Sequence, residues 1–147
     1  MFKHILIPTD GSPVAAKAVK AGIALAKEVG AKVTGYHAVE PVPTRLYGEG
    51  YIADRQMIAE FERRRREAAQ KRIAAIAREA RRAGVRFEPV VQIARTPYEG
   101  IVETARKRRC DLIFMSSHGH RGFMRLVLGS VAEKVVQISK IPVLVHR

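Results

Sequence analysis

The residues best placed to do chemistry lie between Asp111 and Ser130, in the stretch DLIFMSSHGHRGFMRLVLGS. A short apolar run, Leu112 to Met115, has the length of a buried strand. It breaks into a loop carrying Ser116, Ser117, His118, Gly119, His120, Arg121 and Gly122, and closes at Gly129-Ser130 ahead of the helical pattern Val131, Val135, Ile138. Strand, glycine-bearing loop, helix start is an arrangement that holds phosphate. Glycine lets the backbone approach an anion, and the free N–H groups of a helix N-terminus point at it. Ser130 also fits a plainer role. Ser-Val-Ala-Glu, 130 to 133, reads as a capping box in which Ser130 caps and Glu133 reaches back.

Asp10, in Pro8-Thr9-Asp10-Gly11, follows the first apolar run. A carboxylate there can accept hydrogen bonds from a ribose or a base, or meet a metal through water; it can equally bond its own turn backbone. His118 and His120 stand two apart, but no Cys or carboxylate flanks them at metal-ligand spacing, so no metal site is expected. His37 could face a ligand crevice, whereas His4 and His146 sit within strands. No GxSxG, HExxH or GxxxxGK[ST] pattern is present, and no residue pair reads as base and nucleophile. A site that holds nucleotide need not hydrolyse it.

The elements that must position these residues alternate. Phe2 to Pro8 reads as a first strand, apolar enough in its second half to be covered on both faces. Ser12 caps a helix with Pro13 at its first position; Ala15, Val19, Ile23 and Ala26 are its buried stripe, and Gly30 ends it. Lys32 to Val39 is the second strand, with Gly35 marking a close approach. Glu40 to Gly50 is a loop, and Tyr51 to Ala83 one long helix with Ile58, Phe61, Ala69, Ile73, Ile76, Ala80 and Ala83 on its apolar face. Arg86 to Ile93 is a third strand, placed at an edge by Pro89. Thr96, Pro97 and Glu99 open a helix as cap, first residue and capping box. The fourth strand and glycine loop follow, then a helix from Ser130 to about Lys140 and a fifth strand, Ile141 to His146. The expected product is a doubly wound α/β fold, a five-stranded parallel sheet with helices on both faces. Its ligands bind beyond the carboxyl ends of the strands, where the winding reverses.

At 147 residues the chain suits one domain, 1–147. With 47% hydrophobic residues it is not a disordered polymer. The absence of a run of about 20 apolar residues, and an N-terminal apolar centre too short for a signal peptide, lead to the expectation of a soluble cytoplasmic protein. The lone Cys110 fits a reducing compartment and reads as a partly buried, inert thiol. The net charge of +13 lies mostly in arginine clusters on expected helices. These read as solvated outer faces, and with only 6% aromatic residues nucleic-acid binding is not expected as the main function.

HILIPTDGSPVAAKAV at the start and SSHGHRGFMRLVLGSVAEKVVQISKIPVLVHR at the end resemble the universal stress protein family over nearly the whole chain. The family's nucleotide-binding members carry Gly, two residues, Gly, nine residues, Gly, then Ser or Thr. Gly119, the nine residues His120 to Leu128, and Gly129-Ser130 fit it; Ser116 stands where the first glycine belongs. The resemblance implies a flavodoxin-like (Rossmann-like) domain of strand order 3-2-1-4-5. It further implies ATP, ADP or AMP as ligand, with Mg2+, and a homodimer formed by antiparallel pairing of Ile141 to His146. Pro8, Thr9, Asp10 and the Ala38 backbone would hold the adenosine end. Met115 and Ser116 would line the floor, and His118, Gly119, Gly129, Ser130 and Val131 would surround the phosphates. The expected role is a stress-response protein that acts through its bound state. A dimeric adaptor that has lost nucleotide binding through Ser116, and a slow ATPase, are the alternatives.

Overall fold

In this computed structural model, which describes residues 1–42, 55–118 and 128–147, strand and helix alternate from end to end. In chain order the elements are β1 (His4–Thr9), α1 (Pro13–Val29), β2 (Lys32–Val39), α2 (Arg55–Arg82), β3 (Phe87–Ile93), α3 (Pro97–Lys107), β4 (Leu112–Ser116), α4 (Ser130–Ile138) and β5 (Val143–His146). The strands form one sheet in the order β3-β2-β1-β4-β5, and every neighbouring pair is parallel.

Strand side chains alternate between two cores, as a period of two requires. Ile5 and Ile7 of β1, with Leu112 and Phe114 of β4, pack on one face against Val19 and Ile23 of α1 and Ala80 of α2. Leu6, Ile113 and Met115 face the other way, against Ile101 and Ala105 of α3 and Val135 of α4. All of β1 is buried, as its apolar run implies. Helix α1 keeps its expected stripe. Ser12 accepts from the Ala15 N–H at 3.2 Å, and the helix ends at Gly30 with φ of 69°. The close approach at Gly35 is the Phe87 ring, which a methyl on Gly35 would meet at 2.1 Å. Strand β3 is an edge, as Pro89 demands.

Several local expectations fail, each for a physical reason. The backbone of Gly129, not Ser130, caps α4; Ser130 is the first helical residue and no side chain caps the helix. Glu133 accepts from Gln137 one turn on, at 3.2 Å, instead of reaching back. Thr96 is the cap residue of α3, but its side chain makes no cap hydrogen bond and its hydroxyl donates to the Glu99 carboxylate. Helix α4 stops at Ile138 because Ser139 turns the chain, its hydroxyl donating to the Ile141 carbonyl at 2.7 Å; β5 therefore starts at Val143. Phe61 is 54% exposed. With 28 residues, α2 runs about 42 Å, whereas the 7 residues of β3 span about 23 Å. The first buried residue of α2 is Ala69; the N-terminal half overhangs the sheet. The expected helix start at Tyr51 and most of the expected loop up to Gly50 fall outside the described residues.

Candidate functional site

The winding reverses at β1. From there the chain moves outward through β2 and β3, then returns to add β4 and β5 on the other side. The loops after β1 and β4 therefore part, and a crevice opens at the carboxyl ends of the strands. A cleft of about 820 Å³ lies there, within the range of small-molecule sites.

The two sequence stretches meet in it. Pro8, Thr9, Asp10, Ala38, Met115, Ser116, His118, Gly129, Ser130 and Val131 all line the cleft, as does His37. Gly119 lies outside the described residues. Asp10 bonds its own turn, one carboxylate oxygen accepting the Ser12 N–H at 2.9 Å, and it also lines the cleft. Thr9 fixes the same turn by accepting the Gly11 N–H at 3.1 Å.

The opposite wall is laced together by its own backbone. Gly129 N–H donates to the Ser117 carbonyl at 2.7 Å, and Ser117 N–H donates to the His146 carbonyl at 2.8 Å. Ser116 turns its hydroxyl back to the His118 carbonyl at 2.7 Å. The Ser117 hydroxyl and His118 Nδ1 share a hydrogen bond at 2.9 Å. Ser117 is 3% exposed, so this pair shapes the loop. A methyl on Gly129 would lie 3.1 Å from the Ser117 oxygen and 3.3 Å from the His118 Cα. Glycine is needed here first because the loop crosses the start of α4, which the sequence alone suggested only as room for an anion. Ser130, Val131 and Ala132 line the cleft, and the N–H groups of a first helical turn lack partners within the helix. The His118 Nε2 atom is buried and has no hydrogen-bond partner among the described residues.

Sequence reasoning missed the cationic rim. Arg65, Arg72, Arg95 and Lys134 line the cleft, with Asp10 and Glu40 as its carboxylates. Arg65 donates to the Glu40 carbonyl at 3.0 Å. Arg72 lies over the loop after β1, where a methyl on Gly11 would sit 3.0 Å from its Nη1. A signal existed: Arg65, Ala68 and Arg72 recur at helical spacing beside the buried Ala69 and Ile73, so they flank the stripe that packs on the sheet. Beneath the cleft Tyr36 is buried, its hydroxyl donating to Gln92 Oε1 at 3.2 Å, and burial pushes its pKa up to about 12. Among the described residues no group of three His, Cys, Asp or Glu could hold a metal.

A cleft at the winding switch, framed by a β1 exit loop, a glycine-crossed helix N-terminus and cations, is equipped to take an anionic small molecule. Residues 1–147 match the universal stress protein family in full. The chain belongs to that family. Universal stress protein MJ0531 of Methanocaldococcus jannaschii is 37% identical over 146 residues, covering 99% of this chain and 82% of that protein. The solved structure of MJ0577 from the same organism, 30% identical, superposes with a TM-score of 0.83 over 99% of this chain and 95% of the other. More distant members with the same fold were solved with adenylates. One, 22% identical, is a universal stress protein in complex with cAMP, at a TM-score of 0.64 over 99% of this chain and 97% of the other. The other, from Archaeoglobus fulgidus and 19% identical, is in complex with dAMP, at a TM-score of 0.64 over 100% of this chain and 98% of that one. No helix among the described residues of this family member is long and apolar enough to cross a membrane.

Proposed function

We propose that this universal stress protein is a single-domain, cytoplasmic stress-response protein that binds an adenine nucleotide, ATP in the first instance, and acts through its bound state. The observation that carries the reading is the meeting of two distant stretches in one cleft. The β1 exit loop (Pro8, Thr9, Asp10) and the Ala38 backbone offer contacts for an adenosine. The first turn of α4 (Gly129, Ser130, Val131) with His118 offers donors for phosphates. The Nε2 of His118 is buried with no hydrogen-bond partner among the described residues; a buried polar atom left unmatched costs about 1–3 kcal/mol, which a phosphate reaching it would recover. The adenylates held by the two distant members point to the same ligand class.

Arginines on the rim favour several phosphates over one. Arg72 reaches the cleft from the side opposite α4 and would add charge contacts that a monophosphate cannot use. Magnesium usually binds through one or two carboxylates plus phosphate oxygens. Asp10 and Glu40 are the cleft carboxylates, so Mg2+ would arrive with the phosphates. A homodimer through the C-terminal strand also belongs to the proposal. β5 is an edge strand with Leu144 38% exposed, and an open apolar edge invites pairing.

Isothermal titration of nucleotide-free protein with ATP and Mg2+ tests the reading. Saturable heat at one site per chain is expected, with tighter binding of ATP than of AMP. No heat with any adenylate would overturn it and leave the dimeric adaptor, with Ser116 as the cause. Steady phosphate release over hours at 37 °C would instead favour the slow ATPase.

A further inference from the structure

The end of the sheet opposite the cleft carries a second concentration of charge. Because every strand pair is parallel, all strands begin at this end and all crossover helices finish there. Of the carboxylates at this end, Glu28 and Glu79 are exposed near the ends of α1 and α2 and form no ion pair with a described residue, whereas Asp111 and Glu88 are engaged. Asp111 accepts the Lys3 and His4 N–H groups at 2.8 and 3.0 Å. Glu88 holds Lys32 at 3.1 Å and Arg108 at 3.5 Å. Lys3, Arg81, Arg82, Arg86, Arg109 and Lys140 are exposed and form no ion pair with a described residue.

Helix dipoles account for part of this, since cations are favoured in a last turn, as with Arg81 and Arg82 in α2. They do not account for Lys3, Arg86, Arg109 and Lys140, which stand outside the helices. Arg109 is the sharpest case. α1 and α2 close with the same hydrogen-bonded turn through Gly30 and Gly84, and α3 closes identically through Arg109. The glycines have φ of 69° and 78°; Arg109 has φ of 55°, the one positive φ of a non-glycine among the described residues. A side chain in that conformation is strained, so an arginine there gives up stability that glycine would supply. A recess of about 320 Å³ opens between Arg81 and Arg86 over Val85 and Phe87.

We propose that this end docks the phosphate backbone of double-stranded nucleic acid, without regard to sequence. The exposed cations are mostly arginines, whose planar forks match phosphate oxygens. Five strand starts span about 19 Å, wider than the roughly 12 Å major groove, so the charges reach phosphates on both walls. The large apolar side chains exposed at this end among the described residues are Met1 and Ile138. They include no aromatic ring to stack on single strands, and they form no apolar face to enter a membrane. Contacts limited to phosphates position a protein but carry no base readout.

Fluorescence anisotropy with a labelled duplex of about 20 base pairs, across a salt series, tests this. The Arg81→Gln/Arg86→Gln/Arg109→Gln triple should bind roughly tenfold more weakly and lower the slope of log affinity against log salt by about 2 to 3. Lys17→Gln/Lys20→Gln/Lys71→Gln removes the same charge from exposed flanks of α1 and α2 and should change affinity less than about twofold. Arg109→Gly should raise Tm by about 3 °C, yet weaken duplex binding about threefold. Equal losses in the two triples, no binding by the wild type, or tighter binding to anionic lipid vesicles than to the duplex would each overturn the proposal.

Discussion

The two ends of the sheet are made from the same kinds of residue and treat them differently. At the amino end the connections are tight: Gly30-Ala31 before β2, 83–86 before β3, 108–111 before β4. Several of their polar groups are consumed internally. Asp111 ties the start of β1, His4 Nε2 meets Thr34 Oγ1 at 2.8 Å, and Cys110 is buried with its thiol pushed up to about 11 by desolvation. At the carboxyl end two connections are short, 10–12 and 94–96, and two are long, 40–54 and 117–129. There a helix N-terminus and a cationic rim face a cleft that His118 also lines. At one end the buried polar groups close the fold; at the other a helix N-terminus is left open to a small ligand. Substitutions of the engaged amino-end residues should therefore cost stability and spare nucleotide binding, and most at the carboxyl end the reverse.

Gly129→Val should have the largest effect and blur the contrast most. Its side chain would press on the Ser117 carbonyl, 3.1 Å from the first carbon. We expect nucleotide affinity to fall more than about a hundredfold, with a loss of about 2 kcal/mol in stability because the loop and α4 must separate. Titration calorimetry and urea denaturation read the two effects; unchanged affinity would remove the glycine crossing from the site.

Asp111→Ala sharpens the comparison from the amino end. Losing the acceptor for two backbone N–H groups should cost about 1–3 kcal/mol in urea denaturation, with ATP affinity within about twofold of wild type. Arg72→Gln is its mirror image: ATP binding about five- to tenfold weaker, AMP binding unchanged, and stability within about 0.5 kcal/mol.

Acid should act on the amino end as well. Burial, with Lys32 nearby, holds the His4 pKa below its ordinary value of 6.5. The unfolded chain then binds the proton more readily than the folded one. Stability present above pH 6.5 is lost as the pH falls toward and through the lowered folded value, by at most about 1.4 kcal/mol per pH unit. His4→Gln should flatten the stability profile between pH 7 and 5, with ATP affinity at pH 7 unchanged. Ser116→Gly should have the smallest effect. It removes the hydroxyl bond to the His118 carbonyl and a Cβ from the cleft lining, and tighter ATP binding by no more than about threefold is expected.

The alternation of elements was legible because its signals are local. Gly30 and Gly84 end two helices, Pro13 and Pro97 open two, and apolar runs such as Ile5 to Ile7 imply a sheet covered on both faces. Pro89 even marked its strand as an edge. Much of the cleft lining was legible too, since Thr9-Asp10 and Gly129-Ser130 each end or begin an element. What the sequence hid depends on distance along the chain. Arg65 and Arg72 look like any exposed helical arginine until α2 is laid across the β1 loop. Phe61 looks buried until the overhang of α2 is measured against β3. The two S/T-x-x-E patterns look like capping boxes, but Glu99 and Glu133 find side-chain partners instead. The charge at the amino end is scattered through the sequence and gathers only once the strands are parallel.

The central claim is that the β1 exit loop and the first turn of α4 grip one nucleotide together. A crystal structure of the protein grown with ATP and Mg2+ tests it most directly. The account predicts adenosine beside Asp10 and Ala38, with phosphate oxygens within hydrogen-bond distance of the Ser130 and Val131 N–H groups. A nucleotide bound elsewhere, or a cleft that stays empty at saturating ATP, would contradict it.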